Sequence, residues 1–202
     1  LLPAVTTLNS AFAQENRNVG HDVKFLREHL EVIVRGDADA RVAVIPAYQG
    51  RVMTSTLAGD DGPSFGWINY EHIASRKIVP HMNAFGGEAR FWLGPEGGQV
   101  SIFFPAGKPF EFEYWQTPPL IDSEPFEVAE QTPEAVTFRK PGRLVNYAGA
   151  EFDFLIERTI RLLDFNQAAG HLGVEIDKVK LVCYQSENTL KNTGKTAWTK
   201  ES

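Results

Sequence analysis

Side chains able to bind or transform a polar ligand are concentrated in residues 83–104, NAFGGEARFWLGPEGGQVSIFF. Glu88 and Arg90 are two residues apart, so in an extended segment both side chains, followed by Trp92, leave the same side. The Gly86-Gly87 pair permits backbone angles closed to other residues and lets a ligand approach the chain closely. A purely structural loop gains nothing from these three side chains on one side. We therefore predict a ligand-facing wall on the edge of a strand.

Acid and base chemistry at neutral pH is open to His81, because a histidine and a carboxylate can share a proton transfer. Its predicted catalytic partner is Glu88, and Glu96 is the alternative carboxylate. The sequence has no HExxH, GxSxG, P-loop or phosphate-binding GxGxxG motif, and its five histidines lack metal-ligand spacing. No metal and no cofactor are predicted.

Two further clusters precede this segment. Gly50 lies where one predicted strand ends and the next begins, so Gln49 and Arg51 would reach a shared cleft; a bend with two solvated side chains is the alternative. Trp67 and Asn69 have alternate-residue spacing, which pairs an aromatic platform with an amide, as sugar sites do, unless Trp67 is a core residue. The predicted substrate-binding residues are Gln49, Arg51, Trp67, Asn69, Arg90, Trp92 and Glu96.

The segments that must position these residues are mostly strand-like. Apolar residues at helical spacing predict one short helix over residues 21–30, and a two-residue period follows it. The turn at residues 36–39 predicts a hairpin. Residues 164–173 are compatible with a helical turn. Strands are predicted within residues 30–37, 40–48, 50–59, 99–104, 108–115, 126–131, 134–140, 151–164 and 178–192.

Short strands separated by turn signals indicate an all-β fold, a large antiparallel β-sandwich with one short N-terminal helix. Residues 14–202 are predicted to form a single domain. In the strand at residues 151–164, apolar side chains occupy one face, and Asp153, Glu157 and Arg161 occupy the other.

Composition excludes several classes of function. The net charge is -6 and no basic stripe occurs, so nucleic acid is not a predicted partner. No apolar run approaches the ~20 residues of a membrane-spanning helix. Cys183, the single cysteine, cannot form an internal disulfide and is predicted to be a small buried apolar side chain.

The first residues have the features of a targeting segment. Ala11-Phe12-Ala13 is a small-x-small pattern like a signal-peptidase site, so residues 1–13 are predicted to be a signal-peptide remnant. The protein is then exported, to the periplasm or outside the cell. A disordered leader is the alternative.

Five segments carry a resemblance to a known family: VAVIPAYQGRVMTST, SFGWIN, NAFGGEARFWLGPEGGQ with the following SIFF, WQTPPLID and NTLKNTGKTAWTKES. They resemble an uncharacterised family of bacterial exported proteins, a domain of unknown function similar in fold to the galactose mutarotases. The resemblance extends from about residue 22 to the C-terminus. It implies a β-supersandwich, the large two-sheet fold of aldose epimerases. Since family members continue into further strands, it also implies that this chain holds the N-terminal part of the domain.

Mutarotases open the sugar ring with a histidine acid and a glutamate base. The resemblance therefore implies a carbohydrate ligand on a concave sheet face, with His81 as the acid if the protein is an epimerase. Two other functions stay open. In a non-catalytic glycan-binding module, Trp67, Trp92 and Trp115 would stack on pyranose rings. Alternatively, the polar residues would form an internal network that ties strands together.

Overall fold

The computed structural model describes residues 18–175 and 179–199, and the predicted leader at residues 1–13 lies outside this part. Its regular structure is mostly β, with one antiparallel sheet of three strands and another of four, which confirms the prediction of a mainly antiparallel β protein. None of the helices among these residues is long and apolar enough to cross a membrane. The strands are β1 (Ile33–Gly36), β2 (Ala40–Ile45), β3 (Arg51–Leu57), β4 (Glu127–Gln131), β5 (Ala135–Val145), β6 (Glu151–Leu162) and β7 (Tyr184–Asn192), and the helices are α1 (Val19–His29), α2 (Tyr70–Ser75), α3 (Pro119–Asp122) and α4 (Phe165–Leu172).

The first sheet has the order β1-β2-β3 and contains the predicted hairpin. Its register shifts between β2 and β3, because Ala43 lies opposite Thr54 whereas Val44 lies opposite Val52. β3 therefore has one extra residue, Met53, and the strand carries a β-bulge there. Val52 packs in the core shared with the second sheet, and Met53 packs with the residues of α1.

The second sheet has the order β4-β5-β6-β7. β5 and β6 form an unbroken antiparallel ladder from the pair Ala135–Arg161 to the pair Val145–Glu151. The alternation along β6 buries Phe154, Ile156 and Ile160 on one face, as the sequence predicted. β7 is an edge strand of this sheet, and most of its side chains are exposed.

Two clusters of apolar side chains hold the elements together. The larger joins residues from both sheets to the loop residues Phe91 and Phe103, so burial of apolar surface between the sheets stabilises both. The smaller lies on the other side of the first sheet, where Leu26 of α1 meets Met53. The first sheet is therefore covered on both faces.

α1, α2 and α4 begin at residues whose side chains cap them. The predicted helix at residues 21–30 is confirmed as α1, which Asn18 caps by accepting from the N–H of His21 at 2.9 Å. α4 begins with a capping box formed by Asp164 and Gln167. α2 was not expected from the sequence pattern.

Two predicted strands are wrong. Residues 108–115 alternate apolar and acidic side chains, yet Phe112–Tyr114 form a 3-10 turn. Their backbone groups bond locally, as when Trp115 N–H donates to Phe112 at 3.1 Å, because no neighbouring strand pairs with them. Residues 99–104 are also loop: the N–H of Ser101 donates to Gly98 at 3.1 Å. Cys183, predicted to be buried, is half-buried.

Candidate functional site

The glycine-rich segment lies against β3 as a loop. It makes two isolated antiparallel bridges, Val52 with Ala89 and Ile68 with Gly86. Gly86 has φ 96°, and a Cβ placed on it would lie 2.2 Å from the carbonyl oxygen of Trp67. Only glycine fits so close an approach at that backbone angle. The segment is therefore a loop bridged to β3, an edge strand of the first sheet, and the first glycine pair permits its close approach.

A surface groove of about 600 Å³ lies beside this loop. Residues between positions 80 and 115 form its walls, which are mainly apolar and aromatic with one imidazole and one carboxylate. Small-ligand sites in proteins combine apolar walls with a few polar groups in this way. The lining residues are Pro80, His81, Met82, Glu96, Phe104, Phe112 and Trp115.

His81 is held in an unusual backbone conformation, with φ 70°, which is unfavourable for a non-glycine residue. Its N–H donates to Oε1 of Gln116 at 2.8 Å, and its carbonyl accepts from the N–H of Thr117 at 2.8 Å. Its ring Nδ1 lies 2.6 Å from the carbonyl oxygen of Trp115. A carbonyl oxygen only accepts, so this shorter contact requires the hydrogen on Nδ1 and leaves Nε2 as the acceptor of the neutral ring. The amide nitrogen of Gln116, 3.1 Å from the same Nδ1, is also a donor and is then a contact without a hydrogen bond.

A row of nearly parallel rings continues from His81. Phe112 stacks on the His81 ring with centroids 4.5 Å apart, and Trp115 lies 6.2 Å from Phe112 at an interplanar angle of 14°. Trp115 also stacks on the buried Phe103 at 5.5 Å. Phe112 is 71% exposed, so the groove presents apolar ring surface whose burial by a ligand would be favourable.

Glu96 enters the groove next to Trp92, whose Nε1–H donates to Glu96 Oε1 at 2.9 Å. The guanidinium carbon of Arg90 lies 4.1 Å from the centroid of the Trp92 ring, which is a cation–π contact. Three predicted substrate-binding residues therefore form one chain of contacts. Of these three, Glu96 lines the groove.

The far end of Arg90 is bound to the loop around α3. Its Nη2 donates to the carbonyl oxygen of Ile121 at 2.9 Å and lies 3.4 Å from Oδ1 of the buried Asp122. Burial lowers the pKa of Arg90, and the Asp122 carboxylate opposes this shift by favouring the charged guanidinium. Arg90 thus anchors the glycine-rich loop as well as packing on Trp92.

Glu88 is directed away from these residues. Its Oε2 accepts from the hydroxyl of Ser55 at 3.0 Å and from the hydroxyl of Tyr184 at 3.2 Å, and its Oε1 is buried without a hydrogen-bond partner. Burial, reinforced by the Glu88 carboxylate, raises the pKa of Tyr184, so the phenol stays a protonated donor at neutral pH. The carboxylate in the groove with His81 is Glu96, and the catalytic role of Glu88 stays a prediction.

Gln49 and Arg51 are both buried, so the alternative of two solvated side chains is wrong. Gln49 Nε2 donates to the carbonyl oxygen of Glu124, and Arg51 Nη1 donates to that of Gly86, each at 2.8 Å. Burial lowers the pKa of Arg51 to about 10, and the nearby charge of Arg90 adds to the shift. Both side chains lie in the interior and do not line the groove.

Trp67 and Asn69 occupy a different part of the surface. Trp67 is 53% exposed, so the alternative of a core tryptophan is wrong. Asn69 begins α2 by accepting from the N–H of His72 at 3.1 Å, and its Nδ2 donates to the carbonyl oxygen of Ala84 at 2.9 Å. Asn69 is therefore the N-terminal cap of α2, which accounts for its side-chain hydrogen bonds.

The aromatic wall of the groove was not predicted as a site. Phe104 and Phe112 were assigned to strands, and Trp115 was considered as a platform without its neighbours. The informative signal was the density of aromatic residues around a Gly-Lys-Pro turn at residues 107–109. A second missed residue is Arg158, which interrupts the apolar face of β6 and is 1% exposed.

Comparisons with known proteins place the chain in a family without assigning its activity. No curated protein and no solved structure matches it. A family described as a family of unknown function, DUF6786, matches residues 17–202. The chain therefore belongs to the DUF6786 family.

Proposed function

We propose that this protein binds a neutral carbohydrate in the groove between His81 and Trp115. The observation that carries the proposal is the open row of parallel rings at the groove, next to one carboxylate and one imidazole. Pyranose rings have apolar C–H faces and hydroxyl edges. A site for them needs exposed aromatic faces together with a few polar groups that fix orientation.

The polar groups of the groove suit hydroxyl ligands. Glu96 accepts hydrogen bonds at its carboxylate and is held by Trp92, which reduces the rotamer entropy it would lose on binding. His81 is oriented through Nδ1, so its Nε2 is available to accept from a hydroxyl group. We place the sugar in this loop-lined groove, whereas the sequence had suggested a concave sheet face.

Phe112→Ala should weaken sugar binding by about tenfold, because it removes an exposed stacking surface without opening the core. Binding would be followed by tryptophan fluorescence during titration with galactose, lactose and related neutral sugars. Phe65→Ala is the matched control, since Phe65 is 50% exposed and does not line the groove.

The proposal fails if no sugar in the panel gives a saturable change in wild-type fluorescence. It also fails if Phe112→Ala and Phe65→Ala bind equally well. Circular dichroism of both variants would show that the fold is retained.

A second candidate function, aldose 1-epimerase activity, is favoured by the presence of His81 and Glu96 in one groove. Ring opening needs an acid at the ring oxygen and a base at the anomeric hydroxyl. His81 would be the acid in its imidazolium form, which carries a second hydrogen on Nε2, and Glu96 would be the base. We expect the protein to speed interconversion of galactose anomers, followed by NMR, and His81→Ala to lower the rate about 10²-fold or more.

The control for this experiment is His171→Ala, since His171 is an exposed residue of α4. A wild-type rate equal to that of buffer, in a sample that binds sugar, would leave the non-catalytic binding module as the function. In that case His81→Ala should weaken sugar binding, because one acceptor of the groove is lost, while the rate of anomer interconversion stays that of buffer.

We further propose that the fold is a mutarotase-like β-supersandwich and that the protein is exported. Two antiparallel sheets that share a core support the proposed fold. The Ala11-Phe12-Ala13 pattern, which lies outside the described residues, supports export.

A further inference from the structure

A single charged side chain interrupts the buried face of β6. Arg158 lies between Ile156 and Ile160 on the face that packs into the core, and it is 1% exposed. On the opposite face of the same strand, Arg161 pairs with Glu187 at 3.6 Å. The two arginines therefore differ in both burial and charge partner.

Arg158 is hydrogen-bonded to neutral groups. Its Nε donates to the carbonyl oxygen of Gly50 at 3.1 Å, and its Nη1 donates to Ser186 Oγ and to Asn188 Oδ1, each at 2.7 Å. Its Nη2 is buried without a hydrogen-bond partner. Among residues 18–175 and 179–199, no carboxylate makes an ion pair with this guanidinium.

The carboxylate of Glu88 contacts Tyr184 of β7 and makes no ion pair with Arg158 among the described residues. Ser55 and Tyr184 donate to its Oε2, and it forms no ion pair with an arginine. A buried charge without a countercharge is costly, so a protein that keeps one commonly uses it. Burial lowers the pKa of Arg158 to about 10, which still leaves it charged at neutral pH.

Two exposed side chains of β7, Ser186 and Asn188, connect the buried guanidinium of Arg158 to the surface by hydrogen bonds. Ser186 Oγ accepts from Arg158 Nη1 and also from Asn188 Nδ2 at 3.0 Å. With both acceptor positions used in this way, the Ser186 hydroxyl hydrogen is free to point outward. Ser186 and Asn188 thus present polarised donors above a buried guanidinium, on an edge strand whose side chains are open to solvent.

We propose that Arg158, Ser186 and Asn188 form a binding site for the oxyanion group of a small molecule, a carboxylate or a phosphate. The anion would accept from Ser186 and Asn188 and supply the countercharge that Arg158 lacks. Charge-assisted hydrogen bonds of this kind are stronger than neutral ones. The site shares no residue with the groove, so the two proposals succeed or fail separately.

Asn188→Asp tests the proposal because it places a carboxylate where Asn188 Oδ1 now contacts Arg158 Nη1. The melting temperature would be measured for the whole chain with sodium phosphate, with sodium acetate, or with sodium chloride alone, at constant ionic strength. We expect phosphate or acetate to raise the wild-type Tm above its value in sodium chloride. Stabilisation by acetate alone would identify a carboxylate ligand, and stabilisation by phosphate alone would identify a phosphate.

Asn188→Asp should have a higher Tm than the wild type without anion and should bind the anion at least tenfold more weakly, measured by titration calorimetry. Ser186→Ala should also weaken anion binding, but it should not raise the Tm, because it adds no carboxylate next to Arg158. Arg161→Gln, on the opposite face of β6, should bind the anion as the wild type does. The proposal is overturned if neither anion binds the wild type. It is also overturned if Ser186→Ala and Asn188→Asp bind as tightly as the wild type.

Discussion

Asp122→Ala is expected to lower the free energy of unfolding by about 3 kcal/mol, because it leaves several buried donors and one guanidinium unpaired. Asp122 Oδ2 accepts from the backbone N–H of Asn83 at 3.0 Å and from its Nδ2 at 2.7 Å. Oδ1 lies 3.4 Å from Arg90 Nη2. One carboxylate of α3 therefore binds both Asn83, at the start of the glycine-rich segment, and Arg90 within it.

Urea denaturation of wild type and variant gives the free energy of unfolding directly. Asp60→Ala is the control, since the side chain of Asp60 is 71% exposed and its pair with Arg41 lies on the surface. Exposed pairs of this kind contribute about 1 kcal/mol or less. Equal losses in the two variants would show that the buried network around Asp122 is not a main source of stability.

Gly86→Ala is expected to cost about 3 kcal/mol or to prevent folding, because two unfavourable effects add. The residue has φ 96°, and the new Cβ would lie 2.2 Å from the backbone oxygen of Trp67. Relief would require movement of the bridge between Ile68 and Gly86, and with it the carbonyl that accepts from Arg51.

Gly97→Ala tests the second glycine pair of the same segment. A Cβ on Gly97 would have no heavy atom within 4 Å, and we expect the melting temperature to stay within a degree or two of the wild type. A similar loss of stability in both variants would mean that general flexibility of the loop, rather than close approach at Gly86, explains the glycines.

The local sequence pattern was enough to predict the helices and strands whose hydrogen-bond partners or buried faces are determined within a short stretch of the chain. The β1–β2 hairpin follows from two β-branched runs around a turn, and β6 follows from strict alternation of apolar and charged residues. α1 likewise follows from apolar residues at helical spacing. In each case the hydrogen-bond partners or the buried face are implied by the segment itself.

The same alternation failed at residues 108–115. Apolar residues every second position indicate which side chains gain by burial, but a strand also needs a neighbour for its backbone groups. Here the chain turns at Phe112–Tyr114, and Phe110 packs on Phe104 and Tyr147. The aromatic wall of the groove arises from that turn.

The primary structure was sufficient to identify a mostly antiparallel β chain, its first hairpin and its N-terminal helix, since these depend on residues close together in the chain. The hydrogen-bond partners and the burial of each polar side chain were decided only by the tertiary structure. Glu88 and Trp92 leave the loop in different directions because its backbone is not extended, and Glu88 meets Tyr184, 96 residues away, only when β7 joins the second sheet. Hydrogen bonds and ion pairs act over a few ångströms, so their partners depend on how distant strands and loops are brought together.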